Sequence, residues 1–284
     1  MTDPSKTETP PYRRLAHAAL TAAEPAAKIA AAREAERALA STAPIYAALT
    51  GDSAASSEPP DRPARPAHPA LLPPNDVPRR RIGSPAGRVA LMHAVAHIEL
   101  NAIDLAFDMA ARFADEIAAA GLDAEAFVRD WFAVAVDEAR HFAMIEARLD
   151  DLGSHYGALA AHDGLWEAAL KTADSALARL AVAPMVLEAR GLDVTPGMIE
   201  KLMNANDDKS ADVLRVIYQE EIDHVRKGVF WFNTLCGARD LNPAETFETL
   251  VRARFNGGLK PPFNDDARGR AGFDPAYYSP FTVA

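Results

Sequence analysis

Two short acidic motifs, each inside a helix-like stretch, are the most informative feature of this sequence. Residues 137–141 read Asp-Glu-Ala-Arg-His, and residues 220–224 read Glu-Glu-Ile-Asp-His. Each motif places a Glu three residues before a His, so that both side chains lie on the same face of an α-helix. The two pairs are Glu138 with His141 and Glu221 with His224. Because both pairs interrupt apolar stripes, the motifs predict buried helix faces that carry ligand-type side chains.

A single Glu interrupts each of two other apolar helical stripes. Glu99 and Glu188 both stand among Ala, Val, Ile, Leu and Met at helical spacing. An isolated ionised carboxylate in such a place would be costly, or would take up a proton. The order Glu, Glu-x-x-His, Glu, Glu-x-x-His is the dinuclear carboxylate pattern of ferritin-like helix bundles. The alternative is a polar core whose hydrogen bonds satisfy these groups without a metal.

The ligand types indicate which metal to expect. Carboxylates outnumber imidazoles, and the single cysteine, Cys236, excludes a Cys-rich zinc or iron–sulfur site. We therefore expect two iron ions, with manganese as the alternative. Glu138 and Glu221 are the expected bridging ligands, because each neighbours a His. The expected metal ligands are Glu99 and His141 for one ion, Glu188 and His224 for the other, and the bridging pair Glu138 and Glu221.

Other polar residues near the motifs have two interpretations each. Asp137, Glu220 and Asp223 either orient the ligand imidazoles or are solvated. Tyr218, one turn before Glu221, either acts on a bound ligand as a catalytic residue or is a packed aromatic with a satisfied hydroxyl. His93 and His97 form either a second cation site or part of a polar helix face, and we favour the polar face.

The spacing of apolar residues predicts an all-α chain, without sustained strand patterns. The connection between the second and third long helices is long, which indicates a four-helix bundle with one crossover. Ser84 and Asp123 are the predicted N-caps, Pro184 a kink and Gly191 a C-terminal glycine. The predicted helices cover residues 84–113, 123–152, 164–191 and 209–236, with a short helix over 195–206.

The chain divides into four predicted regions. An N-terminal tail and helix occupy 1–41, with the helix over 13–39 and a break or bend at Pro25. A Pro-rich extended arm occupies 42–83 and is either a linker or lies over a core. The remaining regions are the ferritin-like four-helix bundle, 84–254, and an irregular C-terminal tail, 255–284.

Charge and hydropathy narrow the range of partners. The formal net charge of −10 over 284 residues argues against a broad basic surface for duplex nucleic acid. There is no run of 18 apolar residues and no apolar signal core at the N-terminus, so we expect a cytoplasmic protein that does not span a membrane.

Stretches spread over most of residues 80–275 resemble the bacterial ferritin-like proteins grouped as domain of unknown function family 455. They read GRVALMHAVAHIELNAIDLAFDMAARF, DEARHFAMIEARL, HDGLW, VLEARGLDVTP, EEIDHVRKGVFWF and LKPPFNDDAR. The resemblance implies a ferritin-like bundle with a dinuclear site, and the six ligand-type positions match without departure. A more distant resemblance, in ligand pattern and bundle alone, is to the di-iron tRNA hydroxylase MiaE.

These features predict a dinuclear, di-iron carboxylate protein that acts as an O₂-using oxygenase or oxidase. The expected substrate is a small molecule or an RNA, and the expected reductant is an external electron donor, since the chain has no flavin or nicotinamide motif. A homo-oligomer is compatible with this function. The alternatives are a ferroxidase or storage protein that handles metal, and a non-enzymatic ferritin-like scaffold.

Overall fold

The structure, a computed structural model, describes residues 11–47, 58–78, 81–255 and 258–281. Within these ranges the fold is all-helical, as predicted. Leu71 and Ala161 form an isolated β-bridge, and the described residues contain no strand. A π-helical turn, Ala183–Glu188, joins α6 to α7, and a 3₁₀ turn, Ser279–Phe281, follows α11. The helices are α1 (Pro11–Thr21), α2 (Pro25–Ala40), α3 (Pro85–Ala119), α4 (Ala124–Asp151), α5 (Gly164–Leu170), α6 (Ala176–Val182), α7 (Ala189–Asn204), α8 (Asp208–Ala238), α9 (Pro243–Arg254), α10 (Asp265–Arg270) and α11 (Pro275–Tyr278).

The chain forms two compact units. The first unit consists of the described residues up to Pro66 together with Ala102–Ala139. The second unit consists of Ala67–Asn101 and the described residues from Arg140 onward. Helices α3 and α4 each contribute to both units.

A buried ion cluster organises the first unit. Asp104 of α3 is fully buried, and its carboxylate binds Lys28 of α2 at 2.6 Å and Arg65 of the Pro-rich segment. Burial lowers the pKa of the Lys28 ammonium, and the charge of Asp104 opposes that shift. Removing Asp104 would leave two cations without their shared carboxylate, and this carboxylate ties α2, α3 and the arm together.

The Pro-rich segment is an arm that lies against helices, one of the two interpretations of its sequence. In the first unit, the Ala64 amide donates to the Leu20 carbonyl at 2.7 Å, and Arg112 donates to the Pro60 carbonyl at 3.2 Å. In the second unit, the Leu72 amide donates to the Ala161 carbonyl at 2.8 Å. Since such contacts recur along it, the described arm is packed structure rather than a free linker.

The N-terminal boundaries of the helices agree well with the sequence prediction. Pro25 begins α2 and separates it from α1. The Ser84 hydroxyl accepts from the Gly87 amide, and the Asp123 carboxylate accepts from the Ala126 amide, both at 3.0 Å. Helix α3 continues to Ala119, six residues beyond its predicted end. Residues 1–10 of the predicted N-terminal tail lie outside the described residues.

Helix α3 is long and apolar enough to cross a membrane by length and composition alone. In the structure, however, 72% of its most apolar 18-residue window is buried. Burial of this kind is typical of the core helix of a water-soluble domain.

The prediction of one continuous third helix over 164–191 is wrong. The chain leaves helix after Leu170, and Ser175 caps a new helix by accepting from the Ala178 amide at 3.3 Å. Pro184 lies in the π-helical turn, which absorbs the proline without ending the helix.

Helix α7 then runs through Gly191 and Pro196, which were predicted to end one helix and begin another. A proline removes the hydrogen bond to the carbonyl four residues earlier, here that of Leu192. The Asn264 side chain donates to this carbonyl at 3.0 Å. This substitute bond, supplied from 72 residues away, explains why the helix continues.

Three helices near the C-terminus, α9, α10 and α11, were not predicted. Asn242 caps α9 by accepting from the Ala244 and Glu245 amides, and the Asn-Pro pair that begins this helix is a readable signal. Beyond 255, where an irregular tail was expected, α10 and α11 are short helices capped by Asn264 and Asp274.

We predict that Gly228→Ala destabilises the protein. A Cβ at Gly228 of α8 would lie 2.4 Å from the Cβ of Pro184, a ring that cannot rotate away. We expect a loss of about 1–3 kcal/mol in the free energy of unfolding, measured by urea titration. Gly191→Ala is the matched control, because no atom lies within 4 Å of the added Cβ. In the interior of α7 it should stabilise by about 0.5–1 kcal/mol. Equal stability of the two variants would contradict the close contact.

Candidate metal centre

Three helices of the second unit bring ligand-type side chains to one place. Glu99 of α3, His141 of α4 and Glu221 of α8 each offer one ligand atom, and these atoms lie within 4.8 Å of one another. Glu99 and His141 are buried, and the side chain of Glu221 is only 13% exposed. Donors that bind one cation through bonds of about 2.0–2.2 Å lie at separations of this order. The arrangement is therefore compatible with a metal ion.

His141 presents its two ring nitrogens to different partners. Its Nδ1 lies 3.3 Å from a carboxylate oxygen of Glu99 and 4.0 Å from one of Glu221. Its Nε2 lies 2.6 Å from a carboxylate oxygen of Glu220. A proton on Nε2 would be donated to Glu220, which leaves the Nδ1 lone pair for a cation. The ring is thus oriented as a metal ligand requires.

Glu220 is in turn held by Arg140. The Arg140 guanidinium donates to the carboxylate oxygen that contacts His141, at 2.6 Å. Partial burial raises the pKa of Glu220, but the hydrogen bonds from Arg140 and His141 outweigh it and keep the pKa below its usual value. The carboxylate is therefore ionised at neutral pH and well suited to fix the imidazole. Of its two predicted interpretations, orientation of a ligand is the one with a contact to support it.

Glu221 lies between the two imidazoles of the motifs. One of its carboxylate oxygens is 4.0 Å from Nδ1 of His141 and 3.6 Å from Nδ1 of His224. The centroids of the two imidazole rings are 5.8 Å apart. A carboxylate in this position can reach a cation beside either ring, which is the position expected of a bridging ligand.

Glu138 belongs to the same group of potential ligands. It lies one turn before His141 on α4, so its side chain shares the helix face of that imidazole. The side chain is buried, with 1% exposure. All four members are among the six ligands that the sequence predicts, Glu99 from its place in an apolar stripe and the other three from the spacing within the motifs.

The remaining two predicted ligands, Glu188 and His224, are not members of this group. Glu188 is the last residue of the π-helical turn and is half-buried. His224 is fully buried on α8 beside Glu221. The second metal position, which depends on these two residues, stays a prediction.

Tyr218 has a hydrogen-bond partner away from the ligand group. Its hydroxyl accepts from the side-chain amide of Asn264 at 2.9 Å. This contact is the one expected of a packed aromatic with a satisfied hydroxyl. A catalytic role for Tyr218 stays a prediction.

His93 and His97 are bound into the protein rather than arranged around a cation. Nε2 of His93 accepts from the Gly157 amide at 2.9 Å, and burial, aided by the charge of His155, lowers the pKa of His93 to about 4. His97 contacts the Tyr156 hydroxyl at 2.8 Å and the His162 carbonyl at 3.0 Å. These contacts favour the polar-face interpretation, although this polar face is buried.

The sequence alone does not show which acidic residue beside the motifs contacts a ligand imidazole, because Asp137 and Asp223 are placed much like Glu220. Asp223 pairs with Arg226 and Lys227 of its own helix rather than with an imidazole. Asp137, Glu220 and Asp223 all adjoin a ligand, yet only the packing of α8 beside α4 brings Glu220 to His141.

The donor set of the group decides which metals fit it. Its four potential ligands supply carboxylate oxygens and one imidazole nitrogen, and the only cysteine, Cys236, is not among them. Hard and intermediate donors of this kind suit iron or manganese better than copper or structural zinc. The residues present therefore fit the metal that the sequence predicts.

Comparison with known proteins identifies a family. The family model described as "Protein of unknown function (DUF455)" matches residues 21–279. An uncharacterized protein of Haemophilus influenzae is 42% identical over 213 residues, which are 74% of this chain and 73% of the relative. No solved structure matches the chain. The chain thus belongs to this family, as its motifs predicted, and the likeness to MiaE stays a prediction.

We predict that Glu220→Gln weakens metal binding roughly 10- to 100-fold, because the His141 ring loses its charged partner. The measurement is anaerobic titration of the full chain with Fe(II) in competition with a chelator. Asp212→Asn is the matched control, since Asp212 lies two turns earlier on α8 and pairs with Arg215 of the same helix. Equal affinity in both variants would contradict the positioning role of Glu220.

Proposed function

We propose that this member of the DUF455 family holds a dinuclear iron centre and uses it as an oxygenase or oxidase that consumes O₂. The observation that carries the proposal is the buried group of Glu99, His141 and Glu221, with Glu138 one turn from His141. Such a concentration of carboxylates around one imidazole is costly in a core unless a cation accompanies it.

Support for a second metal comes from the position of Glu221. The same carboxylate oxygen approaches the imidazoles of both motifs, at 4.0 Å and 3.6 Å. In our proposal Glu99 and His141 would hold one ion, and Glu188 and His224 would hold the other. Glu138 and Glu221 would be ligands that both ions share.

The residues of the chain would prepare this centre for redox chemistry. When bound, two iron ions would supply the electron transfer that activates O₂. Glu220 fixes the His141 ring through Nε2, and Arg140 keeps Glu220 ionised. Burial of Glu99 and His141 keeps bulk water from these ligands. Carboxylate ligands can change their mode of binding as charge develops, which an imidazole cannot do.

The proposal also needs a substrate and a source of electrons. We propose a small molecule or an RNA as substrate, with an external protein or small molecule as electron donor, in the cytoplasm. A homo-oligomer would be compatible with all of these features.

We predict that protein expressed with iron and manganese available contains about two metal ions per chain. Glu138→Ala and Glu221→Ala should lose most of that metal, as measured by elemental analysis. Glu146→Ala is the control, because Glu146 is a partly buried carboxylate of α4 outside the ligand group. The iron-loaded wild-type protein should consume O₂ when a reductant is added, and the two ligand variants should not.

Three other results would contradict all or part of this proposal. A well-folded protein that stays metal-free after anaerobic loading would overturn the proposal and favour a non-enzymatic scaffold. A large hollow oligomer on gel filtration, with many more than two iron ions per chain, would favour metal storage. One firmly bound metal per chain would confirm the group around His141 and contradict the second position.

A further inference from the structure

A pocket of about 200 Å³ lies between the start of α7 and the segment that follows α9. Its walls are largely apolar and include Val186, Leu187, Leu259 and Phe263. Four charged residues also line it: Arg190, Asp193, Lys260 and Arg268. None of these residues belongs to the candidate metal centre, so the pocket is a separate feature of the second unit.

Arg268 is the most deeply buried of these charges, with 1% exposure. Two of its nitrogens bind the Asp193 carboxylate at 2.9 Å and 2.8 Å. The guanidinium also lies 4.7–5.0 Å from the ring centroids of Phe263, Phe273 and Tyr278. Its remaining nitrogen, Nη1, is buried and donates to no residue in the described part of the chain. This N–H therefore lacks a hydrogen-bond partner among the described residues, and Asp193 pairs with only two nitrogens of the guanidinium.

The other two cations are less fully neutralised. Arg190 donates to the carbonyl oxygens of Lys260 at 2.8 Å and Pro262 at 3.4 Å, and lies 3.4 Å from Asp193. The carboxylate of Asp193, however, already accepts hydrogen bonds from Nε and Nη2 of Arg268. Lys260 forms no ion pair within residues that the structure describes. Three cations therefore face one carboxylate, in a chain whose net charge is −10.

We propose that this pocket binds a small organic anion, a carboxylate on a compact apolar body of about the size of benzoate. The carboxylate would accept hydrogen bonds from the cationic side, where Arg190 and Lys260 are accessible and Arg268 is fixed. The apolar body would lie against Val186, Leu187 and Leu259. A volume of about 200 Å³ is too small to enclose a nucleotide, and the apolar walls disfavour an inorganic anion.

The experiment titrates benzoate into the full chain and follows binding by calorimetry and by amide chemical shifts. Benzamide, which has the same shape without the charge, and inorganic phosphate, which has charge without an apolar body, are titrated alongside. We expect saturable binding of benzoate, with benzamide at least about tenfold weaker and phosphate without saturable binding.

Two variants locate the binding to the pocket. Arg190→Gln and Lys260→Met should each weaken benzoate binding, Arg190→Gln by roughly tenfold. Arg215→Gln is the matched control, because Arg215 lies on α8, pairs with Asp212, and is 43% exposed against 42% for Arg190. Thermal melting of each variant identifies any that fail to fold, and Lys260→Met keeps the test valid if Arg190→Gln is unstable.

Several results would overturn the proposal. Absence of saturable benzoate binding would exclude the site. Equal affinity for benzamide would show that charge plays no part, and equal affinity for phosphate would show that the apolar walls play none. The same affinity in Arg190→Gln, Lys260→Met and Arg215→Gln would place the anion elsewhere on the protein.

Discussion

Burial of ionised carboxylates is the constraint on which the rest of this structure depends. A carboxylate removed from water must have a partner, and the molecule provides partners of different kinds. Asp104 is fully buried with Lys28 and Arg65, and Asp193 is buried with Arg268. The group around His141 instead combines three carboxylates and an imidazole in one place. In our proposal a metal cation balances the charge of these carboxylates, as Lys28 does for Asp104 and Arg268 does for Asp193.

Prediction from sequence succeeded where local pattern decides the outcome. Apolar periodicity and the caps Ser84 and Asp123 fixed the helices that carry Glu99, Glu138 and His141, because both signals act within one or two turns. Prediction failed where a distant residue decides. Pro196 would normally begin a helix, but Asn264 satisfies the carbonyl that this proline leaves without its helical partner. Likewise, Glu220 rather than Asp137 or Asp223 contacts His141 because α8 packs beside α4.

The segments outside the long helices are integral to the fold. Asn264 caps α10, donates to the Leu192 carbonyl and binds the Tyr218 hydroxyl, so it joins the C-terminal segment to both α7 and α8. The arm is similarly anchored through Arg65. Family membership agrees with this role, because the match over 21–279 includes both segments rather than the long helices alone.

The spacing of the helices that carry Glu188 and His224 is set by residues without any ligand atom. Pro184 lies four residues before Glu188, and Gly228 lies four residues after His224. Their close approach leaves no room for a Cβ on α8, which brings α8 directly against the π-helical turn. A π-helical turn changes the direction of the side chains that follow it. In the proposed centre, Gly228 of α8 and the π-helical turn that ends at Glu188 would therefore together determine whether Glu188 could bind the same metal ion as His224.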